Sequence, residues 1–138
     1  MLMKKILIAF TCTIFLLASL GACNSGQTKS AESLRTSAKA YGKLIRWNAY
    51  EEAANYIKLR DGSEVVFDAD LLKEIRVTRY EVSSMILNET NDEAAVLAEI
   101  SYYHERVNSV HNIRDQQVWW QDENGIWRLD GQLPPFVK

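Results

Sequence analysis

The sequence predicts an α+β domain in which N-terminal helices pack on a curved antiparallel sheet. From Leu34 to Ile45 apolar side chains recur every three or four positions, the period of a buried helical face, and Leu71, Leu72 and Ile75 share one side of a later short helix. From about residue 80 the period changes to two, the spacing of a strand with one buried face. Asn124 and Gly125 are a strong hairpin signal, so the strands are expected to form an antiparallel meander.

An export signal precedes this domain. Lys4 and Lys5 are followed by an apolar stretch over residues 6–20, which is the arrangement of a secretory signal peptide. As a helix this stretch reaches about 22 Å, which is shorter than the ~30 Å hydrocarbon core of a bilayer. The sequence therefore predicts cleavage after residue 22 rather than a stable membrane span.

The export signal ends in Leu20, Gly21, Ala22 and Cys23. This ending resembles the lipobox of bacterial lipoproteins, whose cysteine thiol receives a diacylglycerol. The resemblance implies that Cys23 is lipidated, with palmitate among its acyl chains, and that the lipid anchors the exported chain to a bacterial membrane. Asn24, in place of an aspartate, implies the outer membrane, facing the periplasm, in a diderm cell. The alternative is an ordinary signal peptide with an incidental cysteine.

Cleavage divides the chain into three expected parts. Residues 1–22 are the signal peptide, residues 23–33 are the lipidated cysteine and a flexible polar tether, and residues 34–138 are the folded domain. Cys23 is then the one thiol left, because Cys12 leaves with the signal peptide. The formal net charge changes from −2 to −4. This balance, without an evident Lys/Arg cluster, argues against nucleic acid or anionic lipid as the main partner.

The helices are placed by their apolar faces and their caps. The first helix is expected to bury one face, formed by Leu34, Ala38, Tyr41 and Ile45 and widened by Leu44 and Trp47. Asn48 and Glu51 form a capping pair that predicts a second helix over about residues 49–57. Asp68 or Asp70 is expected to cap a third short helix.

The strands present a conflict of register. A turn at Asn108 and Ser109 puts Asp115 and Gln117 on the same sheet face as the apolar residues of the preceding strand. One extra residue between positions 113 and 118 would bring the apolar sets of the two strands together. The sequence therefore predicts a β-bulge there.

The order of elements over residues 34–136 resembles the nuclear transport factor 2-like superfamily, in particular its small bacterial lipoproteins of unknown role. The last hairpin, with Trp127 and Leu129 after its turn, is similar to the last hairpin of those domains. The resemblance implies a cone-shaped α+β roll, of the cystatin-like type, with these two side chains packed into the cone. The superfamily includes isomerases, dehydratases, polyketide cyclases and noncatalytic adaptors, so it does not select a function.

Catalytic members of that superfamily place acid–base groups inside the cone. Tyr102, His104 and Asp115 are the candidates here, because they approach one another across the hairpin in the simple register. An apolar pocket would shift the pKa of such groups toward the working pH. The competing interpretation is that they are polar residues near a sheet edge, and the predicted bulge would separate them. No metal site or cofactor is expected, since the two histidines are seven residues apart and no phosphate-binding glycine loop occurs.

Aromatic side chains are the other candidates for a site. Trp47 and Tyr50 lie where the cone of such a fold opens, and with Tyr102 and His104 they form the expected ligand pocket. Large rings with polar edges line both cores and pockets.

Three tryptophans follow near the end of the chain. Trp120 and Trp127 are expected in the core. Trp119 and Trp120 point to opposite faces of a regular strand, so one of the two is expected to be exposed or at an interface.

For function, the sequence favours a noncatalytic module, tethered to a membrane of the cell envelope, that binds a protein partner or a small apolar ligand. A homodimer through the open sheet face is expected from the resemblance and from the surplus of apolar sheet positions. One alternative is a lyase or isomerase of small carbonyl compounds, with His104 or Asp115 as base and Tyr102 as donor. The other is a purely structural envelope lipoprotein.

Overall fold

The computed structural model describes residues 24–137, so the predicted export signal and Cys23 lie outside the described residues. The elements are α1 (Asn24–Arg46), α2 (Tyr50–Ala54), α3 (Ala69–Glu74), β1 (Ile75–Leu87), β2 (Glu93–His104), β3 (Val107–Gln121) and β4 (Trp127–Leu129). Helices come first and an antiparallel sheet in the order β1-β2-β3-β4 follows. The α+β class and the N-terminal helix packed on the curved sheet are confirmed.

The buried face of α1 is the predicted one. Four side chains at helical spacing are at most 1% exposed, and they are Leu34, Ala38, Tyr41 and Ile45. Leu44 packs partly against the same core, but Trp47 is 73% exposed, so its expected place on this face is wrong. The reason is that α1 ends at Arg46 and Asn48 turns the chain with a φ of 59°.

The start of α1 corrects the expected flexible tether. Residues 24–33 have no apolar periodicity, yet they are helical. Side-chain hydrogen bonds attach these turns to the sheet end: Ser33 Oγ accepts from Trp127 Nε1 at 2.9 Å, and Ser30 Oγ donates to the carbonyl of Asn91. A polar helix that docks through hydroxyl groups leaves no apolar pattern in its sequence.

Of the two expected helix caps, the one on α3 forms and the one on α2 does not. Asp68 caps α3 as predicted, because its carboxylate accepts from the amides of Asp70 and Leu71 at 3.1 and 3.0 Å. Asn48 does not cap α2: the residue before α2 is Ala49, which makes no side-chain cap hydrogen bond. The positive φ of Asn48 places it in the turn after α1 instead.

The β2–β3 register is continuous where a bulge was predicted. Asp115 pairs with Ala98 and Gln117 with Val96, with no irregularity between residues 110 and 120. The bulge prediction is therefore wrong, and both polar side chains lie inside the fold. The turn is also earlier than expected, at residues 105–106. The irregularities lie between Val77/Arg79, Val82/Ser84 and Tyr103/His104.

The β3–β4 hairpin forms at the predicted turn. Gly125 has a φ of 74°, which favours glycine, and its amide donates to the carbonyl of Asp122 at 2.8 Å. The Asp122 carboxylate also accepts from the amides of Asn124 and Ile126, both at 3.0 Å. The Asp122 side chain therefore stabilises the hairpin turn through these hydrogen bonds.

The core lies between α1 and the inner face of the sheet. Trp127 is buried as predicted, but Trp119 and not Trp120 is its companion: Trp119 is fully buried, whereas Trp120 is partly exposed. The C-terminal segment closes one end of the core with Leu133 and Phe136. At one side of the sheet, β4 pairs with residues 119–121 of β3, and Ile57 forms an isolated bridge to Leu129. At the other side, β1 has no neighbouring strand among the described residues, so its outer edge is open.

Candidate functional site

The three expected acid–base residues are buried but do not form a cluster. Tyr102 pairs with His111 across the hairpin, and its hydroxyl accepts from the Val137 amide at 3.1 Å. Asp115 pairs with Ala98, which lies four residues from Tyr102 along β2, or about 13 Å at ~3.3 Å per residue. The actual turn moved Asp115 away from the position that the simple register predicted.

His104 has a structural partner of its own. Its Nε2 lies 2.9 Å from Glu74 Oε2 at the end of α3, and the Arg106 amide donates to Nδ1 at 3.4 Å. Glu74 also forms an ion pair with Arg106. These contacts fasten α3 to the β2–β3 turn, and they leave neither ring nitrogen directed at Asp115.

The expected aromatic pocket is divided as well. Trp47 is on the surface, with the Arg46 guanidinium 5.8 Å from its ring centroid. Tyr50 is buried edge-on against Phe136, with ring centroids 5.9 Å apart. Burial raises the pKa of Tyr50 from 10.0 to about 12, against the opposing charge of Arg76. Trp47 and Tyr50 therefore do not line one common pocket with Tyr102 and His104.

A hydrogen-bonded cluster on the inner face explains why polar residues are tolerated there. Gln117 Nε2 donates to Asp115 Oδ2 at 2.7 Å and to the Tyr80 hydroxyl at 2.9 Å, while Gln117 Oε1 accepts from Trp119 Nε1 at 2.9 Å. Each polar group of the Gln117 side chain is thereby used. Burial raises the pKa of Asp115, and the hydrogen bond from Gln117 opposes that rise.

Tyr41 of α1 covers this cluster on the side that faces the helix. Its ring packs edge-on against Tyr80, Trp119 and Tyr56, with centroids 6.4, 5.8 and 6.2 Å apart. Its hydroxyl is buried and has no hydrogen-bond partner among the described residues. Burial raises the pKa of Tyr41 well above its ordinary value, and Tyr80 and Asp115 add to the rise. Side chains therefore occupy the space between α1 and the sheet around Tyr41.

Outside the core, α1 and β1 form the two walls of an open groove of about 700 Å³. Its helix wall carries four cations, and these are Arg35, Lys39, Lys43 and Arg46. The strand wall is formed by residues 80–85. We call this feature the α1–β1 groove.

The cations reach the groove because of their spacing. Steps of four, four and three residues keep side chains on one side of a helix, next to the buried face. In the sequence the same residues are dispersed, and the sequence therefore predicts no Lys/Arg cluster. That expectation is wrong for the folded molecule. The sequence does contain a signal for such a cluster: along α1, cationic residues recur every three or four positions, next to the apolar residues that have the same period.

The charge of this wall is not neutralised within the described residues. Arg35, Lys39 and Lys43 form no ion pair there, whereas Arg46 donates to the Val77 carbonyl at 2.6 Å. Glu81 is the single acidic residue in the groove lining, and it pairs with Arg79. The groove is consequently a positive concavity on an acidic protein.

The floor of the groove depends on Gly42. A Cβ atom at this position would lie 2.4 Å from Cε1 and 2.5 Å from Cδ1 of Tyr80. A bare backbone here lets α1 approach the β1 strand closely. The same Tyr80 ring thus forms part of the groove floor and, through its hydroxyl, part of the buried cluster.

Comparison with known protein families, with curated proteins and with solved structures finds no match for this chain. Among residues 24–137, no helix is both long enough and apolar enough to span a membrane. The same residues contain no group of three or more His, Cys, Asp or Glu side chains that could hold a metal ion.

Proposed function

We propose that the mature chain is a noncatalytic envelope lipoprotein, anchored by a lipid on Cys23, that binds a protein partner in the α1–β1 groove. The observation that carries the proposal is the wall of four cations facing an open strand edge. Unpaired cations in a concave surface attract an anionic partner and orient it.

The interior supports binding over catalysis. A lyase or isomerase needs an acid–base group that faces a space for substrate. Here Asp115 is hydrogen-bonded to Gln117, His104 contacts Glu74, and the Tyr102 hydroxyl accepts from a backbone amide. Aromatic side chains around Tyr41 occupy the interior, where a small apolar ligand would otherwise bind. This packing favours a protein partner over such a ligand.

A helix on a curved antiparallel sheet supports the nuclear transport factor 2-like roll as the fold of this module. The homodimer through the outer sheet face stays a prediction. That face carries polar cross-strand neighbours, Glu99 with Arg114 at 3.9 Å and Ser101 with Asn112 at 2.6 Å. Such pairs suit a solvated face as well as a polar interface.

The groove lies on the helix that begins directly after the proposed anchor residue. α1 begins at Asn24, the residue after Cys23. Measured along the helix axis from Asn24, at 1.5 Å per residue, the groove wall starts at about 17 Å and ends at about 33 Å. A helix holds this distance more tightly than a flexible tether would. The groove is therefore expected to face partners that are near the membrane surface.

The test is site-specific photocrosslinking in intact cells that produce the full-length chain. A photoreactive amino acid replaces Ser83 on the strand wall of the groove, and in a matched variant it replaces the exposed Val110 on another part of the surface. We expect one adduct of defined mass from position 83 and none of that mass from position 110. Equal adducts from both positions, or none from position 83, would contradict the proposal.

A further inference from the structure

We propose that the α1–β1 groove takes an extended acidic segment of another protein, which adds to β1 as a fifth strand and lays its carboxylates along α1. The inference rests on the proposed function and names the chemistry of the partner. Its basis is the combination, in one groove, of an open strand edge and a wall of cations.

The strand wall supplies the backbone partners for such an addition. β1 pairs with β2 on one side and has no strand on the other among the described residues. No hydrogen bond between described residues closes the outer backbone edge of residues 80–85. An edge of this kind accepts an extended peptide through main-chain hydrogen bonds.

The two walls have matching lengths. From residue 35 to residue 46 the helix wall rises about 17 Å, at 1.5 Å per residue. The six residues of the strand wall span about 17 Å, at ~3.3 Å per step. An extended segment of about six residues therefore fits along both walls at once. Arg46 marks one end of the groove, where its guanidinium already holds the Val77 carbonyl.

The charges specify what the segment carries. Side chains of an added strand point alternately to the two faces of the sheet, and α1 covers one of them. Acidic residues at every second position would thus face Arg35, Lys39 and Lys43, which have no ion-pair partner within the described residues. The intervening residues would continue the outer face of the sheet.

The bulge in β1 limits which segments can bind. The register shifts between Val82 and Ser84, in the middle of the strand wall. Bulges on edge strands hinder indiscriminate pairing, so main-chain bonds alone give little affinity here. Selectivity then depends on the cations of α1. A flat anionic bilayer is the weaker match, because half of the groove lining lies on a strand that faces the helix across a concavity.

The experiment uses the full-length chain, expressed with its N-terminal segment and purified from cells in detergent. The probe is a capped, fluorescent octapeptide that alternates glutamate with threonine. Fluorescence anisotropy gives its affinity, and amide hydrogen exchange reports on residues 80–85. We expect saturable binding and slower exchange in that segment. A matched peptide that alternates lysine with threonine is expected not to bind.

Two controls separate strand addition from simple charge attraction. Lys39→Glu combined with Lys43→Glu is expected to weaken binding about tenfold or more, whereas Lys29→Glu, on the same helix but outside the groove, leaves it nearly unchanged. An octapeptide with N-methyl groups on alternate amides keeps its charge but loses main-chain donors, and we expect it to bind at least about tenfold more weakly.

Several results would overturn the inference. The glutamate–threonine peptide could fail to bind saturably, or its N-methylated form could bind equally well. The exchange rate over residues 80–85 could stay unchanged on binding. Phosphatidylglycerol vesicles could bind through Lys39 and Lys43 while the peptide does not. If the peptide fails while the crosslink from position 83 persists in cells, the strand chemistry is wrong and the proposed function stands. If both fail, the groove is not the recognition surface.

Discussion

Gly42 is the residue at which a single carbon atom has the largest expected effect on the groove. Gly42→Ala places a methyl group 2.4 Å from the Tyr80 ring, so overpacking is expected to lower the free energy of unfolding by about 1–3 kcal/mol. Gly26→Ala is the matched control in the same helix, since its Cβ meets nothing within 4 Å. That variant should raise stability by about 0.5–1 kcal/mol. Denaturant unfolding measures both, and effects of the same sign would contradict the close helix–strand approach.

Asp115 is expected to make stability depend on pH. Burial raises its pKa in the folded state above the ordinary 3.8 that it keeps when unfolded. The contribution of this carboxyl group is therefore fully present below pH 3.8 and is lost as the pH rises through the raised pKa. Asp115→Asn stays neutral, so its free energy of unfolding relative to the wild type should increase with pH across that window.

Denaturant unfolding of both proteins between about pH 4 and about pH 7 tests this expectation. The control is Asp70→Asn, because the Asp70 carboxylate is exposed and pairs only with the exposed Lys73. A constant difference between Asp115→Asn and the wild type would show that Asp115 is not held in a desolvated cluster.

At the scale of helices and strands, the sequence correctly predicted the features that depend on residues close together in the chain. The 3.6-residue period located the buried face of α1, Asp68 marked the start of α3, and Gly125 marked the last hairpin. These signals work because each depends on a few neighbouring residues.

Partners that are distant in sequence explain the errors. The bulge was predicted because Asp115 and Gln117 looked unsuited to a buried face, and what makes them suited is Tyr80 on another strand and Trp119 two residues further on. Likewise, Glu74 gives His104 a structural role that no local pattern contains. The cationic groove escaped prediction because it needs two walls, α1 and β1, and the sequence displays them separately.

The first turns of α1 provide a test at the same scale. Ser33→Ala leaves Trp127 Nε1 without its acceptor, which should cost about 1–3 kcal/mol of unfolding free energy. Thr36→Ala is the control, since that hydroxyl bonds only to the Glu32 carbonyl of its own helix. Amide exchange over residues 27–33 should become faster in Ser33→Ala. If the amides of residues 27–33 exchange without protection in the wild type, this segment is a flexible tether and not a docked helix.

At the scale of the whole molecule, the proposed membrane anchor and the proposed recognition groove involve different residues, so each can be tested separately. Cys23→Ala removes the proposed lipid, whose chains contribute about 0.8 kcal/mol per buried methylene, so the protein should leave the membrane fraction. Lys39→Glu combined with Lys43→Glu keeps the cysteine and should stay with the membrane. Fractionation and immunoblotting measure both. Unchanged membrane association of Cys23→Ala would contradict the lipid anchor.

Charge distribution is the property that appears only at this scale. The chain has a formal net charge of −2 and would have −4 without residues 1–22, yet one groove contains four cations. A net charge describes the average surface, whereas recognition depends on the local one. The fold thus gives an acidic protein a basic groove, and this groove is the proposed recognition surface.

Crosslinking from position 83 in intact cells, combined with charge reversal in the α1–β1 groove, is the decisive measurement for partner binding there. With Lys39→Glu and Lys43→Glu in the same chain, the adduct should fall about tenfold or more, while membrane association and the melting temperature stay close to those of the parent. Lys29→Glu should leave the adduct unchanged. An adduct that survives the reversal of both groove lysines would show that these cations do not bind the partner.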